Sequence, residues 1–151
     1  MILLAEDNAE TRVHLALLLT NGGHRVVEAT DGQEALNYLQ AAMEHVHPMP
    51  ALLITDLNMP NITGMQLIAW MASTEALAVL PIIEISGTSP ASLHMVGLTA
   101  PMRRGLPRGQ VDKRPGRTGG VVGSFVKPIF GENAKTFLAL VALHAGKDEL
   151  K

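Results

Sequence analysis

The chain contains no cysteine. That excludes disulfides, thiol nucleophiles and cysteine-ligated zinc or iron–sulfur centres, and it leaves the redox compartment open. No apolar run approaches the roughly 18–20 residues of a membrane helix. The opening Met1-Ile2-Leu3-Leu4-Ala5 meets Glu6-Asp7 too early to form a signal-peptide core. The expected location is therefore the cytoplasm. Aromatic residues make up only 3% of the chain, and its one basic stretch has none to stack on nucleic-acid bases. That stretch, Met102–Thr118, holds Arg103, Arg104, Arg108, Lys113, Arg114 and Arg117 against the single acid Asp112. It carries +5 within a chain of net charge −2, so the rest carries −7. A mildly acidic body with one Gly/Pro-rich basic stretch is unlike a nucleic-acid-binding face, and no nucleic-acid partner is expected.

What remains is a globular composition, 47% apolar and 17% charged. At 151 residues it amounts to one domain, long enough to bury a core without a staple. Short apolar runs alternate with longer helix-like stretches. The runs are Met1–Ala5, His24–Ala29, Ala51–Thr55, Leu80–Ser86 and Val121–Val126. Their near-continuous apolarity predicts strands covered on both faces, as in a parallel sheet.

Helices are predicted over about Ala9–Thr20, with Val13, Leu17 and Thr20 on one stripe beside Leu18, and from Asp31, a candidate N-cap with Glu34 three places on. The second carries Ala35, Leu36 and Leu39 inward. A third spans about Gly64–Ser73, with Leu67, Ile68 and Met71. A short piece follows Ser89-Pro90, and the last spans about Glu132–His144 with Phe137, Leu138, Val141 and Ala142. Five strands alternating with five helices predict a doubly wound α/β fold, (βα)5, with the ligand site at the carboxyl ends of the strands. The stretch from about Gly97 to Gly120 has no sustained period and is broken by Pro101, Pro107 and Pro115. It is read as a mobile insertion before the fifth strand of a single domain.

The strand ends carry the chemistry. Glu6-Asp7 end the first, Asp56 the third, Ser86-Gly87 the fourth and Lys127-Pro128 the fifth. With the first strand central, these ends converge on one rim. Three crowded carboxylates call for a cation, and oxygen-only donors with room for water and phosphate suit Mg²⁺. Lys127 offers a fixed positive charge for a phosphoryl oxygen, and an Asp carboxylate is a competent nucleophile for phosphorus. The expected chemistry is phosphoryl transfer to Asp56. The six histidines are scattered, so a zinc site is not expected. For Glu6-Asp7 the structural reading is an N-cap of the first helix.

The string Ile54-Thr55-Asp56-Leu57-Asn58-Met59-Pro60, followed by Gly64-Met65, resembles the phosphoacceptor motif of two-component response-regulator receiver domains. Leu3-Leu4-Ala5-Glu6-Asp7-Asn8, the run Ala29–Leu36, Pro81-Ile82-Ile83 before Ser86, and Val126-Lys127-Pro128-Ile129 resemble other parts of it. The resemblance covers about Met1–Thr99 and Val121–Ala145. It implies a flavodoxin-like five-stranded fold and the role of a phosphoacceptor that takes its phosphoryl group from a phosphohistidine. The partner would be a histidine kinase or histidine phosphotransfer protein. Asp56 would be the phosphoacceptor and Ser86 the switch hydroxyl, with Lys127 pairing the phosphate. Mg²⁺ would be held by Asp7, Glu6, Asp56 and the backbone carbonyl of Asn58, and the Lys127–Pro128 bond would be cis. The family's aromatic switch, three residues before the lysine, is here Ser124, while Phe125 is expected on the other face of its strand.

Two further functions compete with this one. A Mg²⁺-dependent aspartyl-nucleophile phosphohydrolase generally wants an acid two residues after its nucleophile, and Asn58 stands there. A receiver-shaped interaction module that is never phosphorylated would have no use for the retained acids and Lys127.

Overall fold

A computed structural model describes residues 1–87 and 120–146. Strands and helices alternate: β1 (Ile2–Ala5), α1 (Ala9–Asn21), β2 (Val26–Ala29), α2 (Gly32–Met43), β3 (Leu52–Asp56), α3 (Gly64–Ala72), β4 (Pro81–Ser86), β5 (Gly120–Val126) and α4 (Gly131–Ala145). A 3-10 turn, Glu75–Leu77, lies between α3 and β4. The five strands form one parallel sheet in the order β2-β1-β3-β4-β5. This is the flavodoxin-like doubly wound fold. The middle strand is β3 rather than β1, which lies beside it. The winding reverses between these two strands, which places the ligand crevice at their carboxyl ends. The helix expected after Ser89-Pro90 and the insertion at 97–120 fall outside the described residues.

Both faces of the sheet are covered, so the inner strands are apolar throughout. One face sets Leu3, Ala5, Leu53 and Ile82 against α2 and α3, through Ala35, Leu39, Leu67, Ile68 and Met71. The other sets Ile2, Leu4, Ile54, Ile83 and Ile85 against α1 and α4, through Leu15, Leu19, Phe137, Leu140 and Val141. Each buried aliphatic side chain contributes roughly 1.5–3 kcal/mol relative to exposure.

Two helices turn differently from the expected stripes. Val13 and Leu17 of α1 are more than half exposed and Thr20 is exposed, whereas Leu15 and Leu19 are fully buried. Apolar residues run almost all round α1, so its period could not select a face. In α4, Ala142 is exposed and Leu140 takes the inward position. The expected inward sets of α2 and α3 are observed, with Leu36 partly buried.

Close packing positions the loops of the carboxyl rim. A Cβ on Gly64 would lie 2.0 Å from the Asp56 carbonyl oxygen, so only glycine lets α3 start against the end of β3. A Cβ on Gly32 would lie 1.9 Å from the Ile62 carbonyl oxygen, which locks the start of α2 to the β3–α3 loop. Asp31 caps α2 by accepting from the Glu34 N–H at 2.8 Å. Glu34 turns back to the Thr30 N–H and hydroxyl, at 2.6 and 2.8 Å. Asp31 also accepts from Asn61 Nδ2 at 2.9 Å, tying the same two loops a second time.

Candidate functional site

Glu6, Asp7 and Asp56 converge where β1 and β3 end. One carboxylate oxygen from each lies within 4.8 Å of the others. Glu6 and Asp56 are buried, while Asp7 is exposed. The ammonium of Lys127, just past β5, reaches both buried acids, at 3.0 Å to Glu6 Oε2 and 3.1 Å to Asp56 Oδ2. The Lys127–Pro128 bond is cis, as the resemblance implied. Backbone donors complete the shell: the Asn8 N–H donates to Glu6 Oε1 at 3.0 Å and the Asn58 N–H to Asp56 Oδ1 at 3.3 Å.

Burial pushes the Glu6 carboxyl up to about 7, with the neighbouring Asp56 acting in the same direction, against the Asn8 N–H and Lys127. For Lys127, burial works against the charge, but hydrogen bonding and attraction from Glu6 and Asp56 outweigh it and hold the ammonium above its ordinary value. One cation thus serves two buried carboxylates, with a third beside them. Such a cluster is short of positive charge. Its donors are all oxygens, its protein ligands are few and one side is open, which fits the hard, partly hydrated Mg²⁺. The residues able to hold it are Glu6, Asp7 and Asp56.

The remaining expected site residues stand around this cluster. Ser86 is the buried last residue of β4, one step beyond Ile85, which pairs with Asp56 across the sheet. Its carbonyl accepts the Lys127 N–H at 2.8 Å, so β4 and the lysine are locked in register. Asn58 is exposed at the start of the β3–α3 loop, two residues past Asp56. Neither Glu6 nor Asp7 caps α1. Asn8 does so, its side chain accepting from the Thr11 N–H at 2.9 Å.

Phe125 takes the side of β5 opposite Ser124, edge-on to Phe137 with ring centroids 5.3 Å apart. Ser124 instead donates its hydroxyl to the buried carboxylate of Glu84, its partner across β4 and β5. A register shift between Ile82 and Ile83 brings these two into line. Neither Glu84 nor Arg12 was expected to matter. Their signal in the sequence was anomaly: an acid inside the apolar run Pro81–Ser86, and a cation one turn into a helix that follows two acids. Arg12 Nη1 donates to the Glu6 carbonyl at 2.9 Å and Nε lies 3.5 Å from Glu28 Oε1.

Among known proteins, the family "Response regulator receiver domain" matches residues 2–107. The virulence transcriptional regulatory protein PhoP of Salmonella typhimurium (strain LT2) is 41% identical over 80 residues, 52% of this chain and 33% of that protein. The matched segment thus spans about a third of that curated relative. A response regulator receiver protein from Pseudomonas putida superposes with a TM-score of 0.65 at 28% identity, covering 94% of each chain. The receiver domain of a signal transduction histidine kinase from Syntrophus aciditrophicus gives 0.68 at 20% identity, over 99% of this chain and 96% of that one, a likeness of fold. With five parallel strands, an acidic rim and a lysine on a cis peptide, the chain belongs to the response-regulator receiver domains, the phosphoacceptor signalling modules of two-component systems.

Proposed function

We propose that the chain accepts a phosphoryl group on Asp56 from the phosphohistidine of a histidine kinase or histidine phosphotransfer protein, with Mg²⁺ as cofactor. The observation that carries this reading is the Asp56 carboxylate itself: buried, 3.1 Å from the Lys127 ammonium and grouped with Glu6 and Asp7. A carboxylate oxygen of Asp56 attacks phosphorus, and a P–O bond forms as the P–N bond breaks. The electron pair of that bond leaves on the imidazole nitrogen.

Lys127 is placed to pair a phosphoryl oxygen, and Ser86 ends its strand where its hydroxyl can take another. The Asn58 N–H keeps Asp56 oriented. Glu6 and Asp7, with Asp56 and the Asn58 carbonyl, would hold Mg²⁺, which neutralises charge on the transferring group when bound. An amide at Asn58 supplies no acid for a leaving group, so chemistry stops at self-directed transfer and slow hydrolysis of the acyl phosphate.

The same reading makes residues 1–151 one receiver domain with an insertion at about 97–120, working in the cytoplasm. Among the described residues no helix is long and apolar enough to cross a membrane. The test is incubation with acetyl phosphate and Mg²⁺ followed by intact-mass measurement. One phosphoryl group should add in the presence of Mg²⁺ and none in Asp56→Asn. Undiminished labelling of that variant overturns the assignment.

A further inference from the structure

The three acids of the cluster are not held alike. Glu6 is tied by Lys127 and the Asn8 N–H, and Asp56 by Lys127 and the Asn58 N–H. The exposed carboxylate of Asp7 makes no hydrogen bond or ion pair among the described residues. Its direction is therefore set by the backbone of the β1–α1 turn. That backbone is gripped from α1: Arg12 Nη1 donates to the Glu6 carbonyl at 2.9 Å and reaches the Asp7 carbonyl at 3.4 Å. The Nε of the same guanidinium faces Glu28 on β2 at 3.5 Å, and the arginine side chain is mostly buried.

Electrostatics alone argues against an arginine here. The first turn of a helix carries partial positive charge, which disfavours a cation. The guanidinium also stands beside a site that must attract a dication. What an arginine adds is its planar fork, which can hold two successive carbonyls and a carboxylate in one fixed arrangement; a lysine ammonium is a point charge on a flexible stem.

We propose that Arg12 is a positioning residue for the Mg²⁺ site, fixing the Glu6–Asp7 peptide so that the Asp7 carboxylate projects toward Glu6 and Asp56. The inference rests on the reading of this cluster as a Mg²⁺ site. It makes a prediction of sign. Were the arginine acting only through charge, removing it would tighten Mg²⁺ binding, because a competing cation is gone. As a positioning residue its removal weakens binding, by about tenfold on the scale of other groups that orient metal ligands.

The experiment is calorimetric titration of the full chain with Mg²⁺, comparing wild type with Arg12→Met, Arg12→Lys and Glu28→Gln. Arg12→Met should bind about tenfold more weakly, and Arg12→Lys, which keeps the charge and loses the fork, should also bind more weakly than wild type. Glu28→Gln removes only a half-exposed partner and should stay within about twofold. Labelling by acetyl phosphate supplies the second readout. In Arg12→Met the half-saturating Mg²⁺ concentration should rise by the same factor, while the rate at saturating Mg²⁺ returns to that of wild type. Wild type that fails to bind Mg²⁺ overturns the reading of the site and this inference with it. Wild type that binds, with Arg12→Met binding equally or more tightly, overturns the inference alone. Should Arg12→Met fail to fold by circular dichroism, Arg12→Lys carries the test, and wild-type affinity in that variant overturns the proposal.

Discussion

The two faces of the sheet are built from the same strands and do different work. Strand β4 shows this within six residues: Ile83 and Ile85 point to the α1 and α4 side, while Ile82, Glu84 and Ser86 point to the other. Among the described residues the first side closes chiefly on apolar contacts, including the Phe125–Phe137 pair, with His14 Nε2 hydrogen-bonded to the Ile129 carbonyl at 3.1 Å at its edge. The second carries a buried carboxylate bonded to a serine hydroxyl, and ends in the buried Ser86, one step past the residue that pairs with Asp56. Dispersion and water exclusion are indifferent to direction, so the apolar contacts of the first face serve mainly to hold the molecule together. Hydrogen bonds are directional, and each buried polar group must find its partner, so the second face can respond to a change at the rim.

The largest expected effect belongs to the apolar face. Phe137→Ala removes a fully buried ring and should cost about 3–5 kcal/mol in denaturant unfolding. Mg²⁺ affinity, measured where the variant is folded, should be unchanged. If affinity falls together with stability, the acidic cluster depends on the apolar packing beneath it.

A smaller loss is expected on the polar face. Ser124→Ala takes a hydroxyl donor from the buried Glu84 carboxylate and should cost about 1–3 kcal/mol. Glu84→Leu combined with Ser124→Ala removes both ends of this hydrogen bond, and the double-mutant cycle should give a coupling of about 1 kcal/mol between the two positions. A coupling near zero would show that Glu84 is held mainly by other groups.

The smallest effect is at the cap that begins α2. Asp31→Ala should cost about 1 kcal/mol. The Glu34 N–H, opposed by burial and helped by Asn61 and the Gln33 N–H, holds the Asp31 carboxyl below its ordinary value of 3.8. A depressed carboxyl contributes stability that is present above the unfolded value and lost as pH falls through the folded one. The difference between wild type and Asp31→Ala should therefore be constant at neutral pH and shrink below about pH 4. Its persistence in stronger acid would mean that the carboxylate is not what caps the helix.

Much of the rim was legible because its signals are local. Turn residues close each strand, an Asp three places before a Glu marks the start of α2, and Gly64 follows the acceptor string at the spacing a tight entry to α3 requires. The face of α1 was not legible. Val13, Leu15, Leu17, Leu18 and Leu19 run round the helix, and the choice of Leu15 and Leu19 follows from what the sheet and α4 present to them. Ser124 looked like a missing aromatic, yet its partner Glu84 lies 40 residues away and meets it only through a register shift. Arg12 stood in the sequence as a misplaced charge, and its purpose became visible when the carbonyls it holds turned out to be those of two of the three acids.

By itself, then, the sequence determined the alternation of the described strands and helices, the parallel sheet and the acids and lysine at the strand ends, because each depends on neighbours within a few residues or on a repeated pattern, while the cis bond before Pro128 was implied by the family resemblance. The tertiary structure alone decided that β3 is the middle strand, which side of α1 is buried, that Lys127 bridges Glu6 and Asp56, and that Arg12 grips the turn carrying Asp7. Those outcomes depend on distances between segments far apart in the chain, and these distances exist only once the strands have paired and the two layers of helices have closed over them.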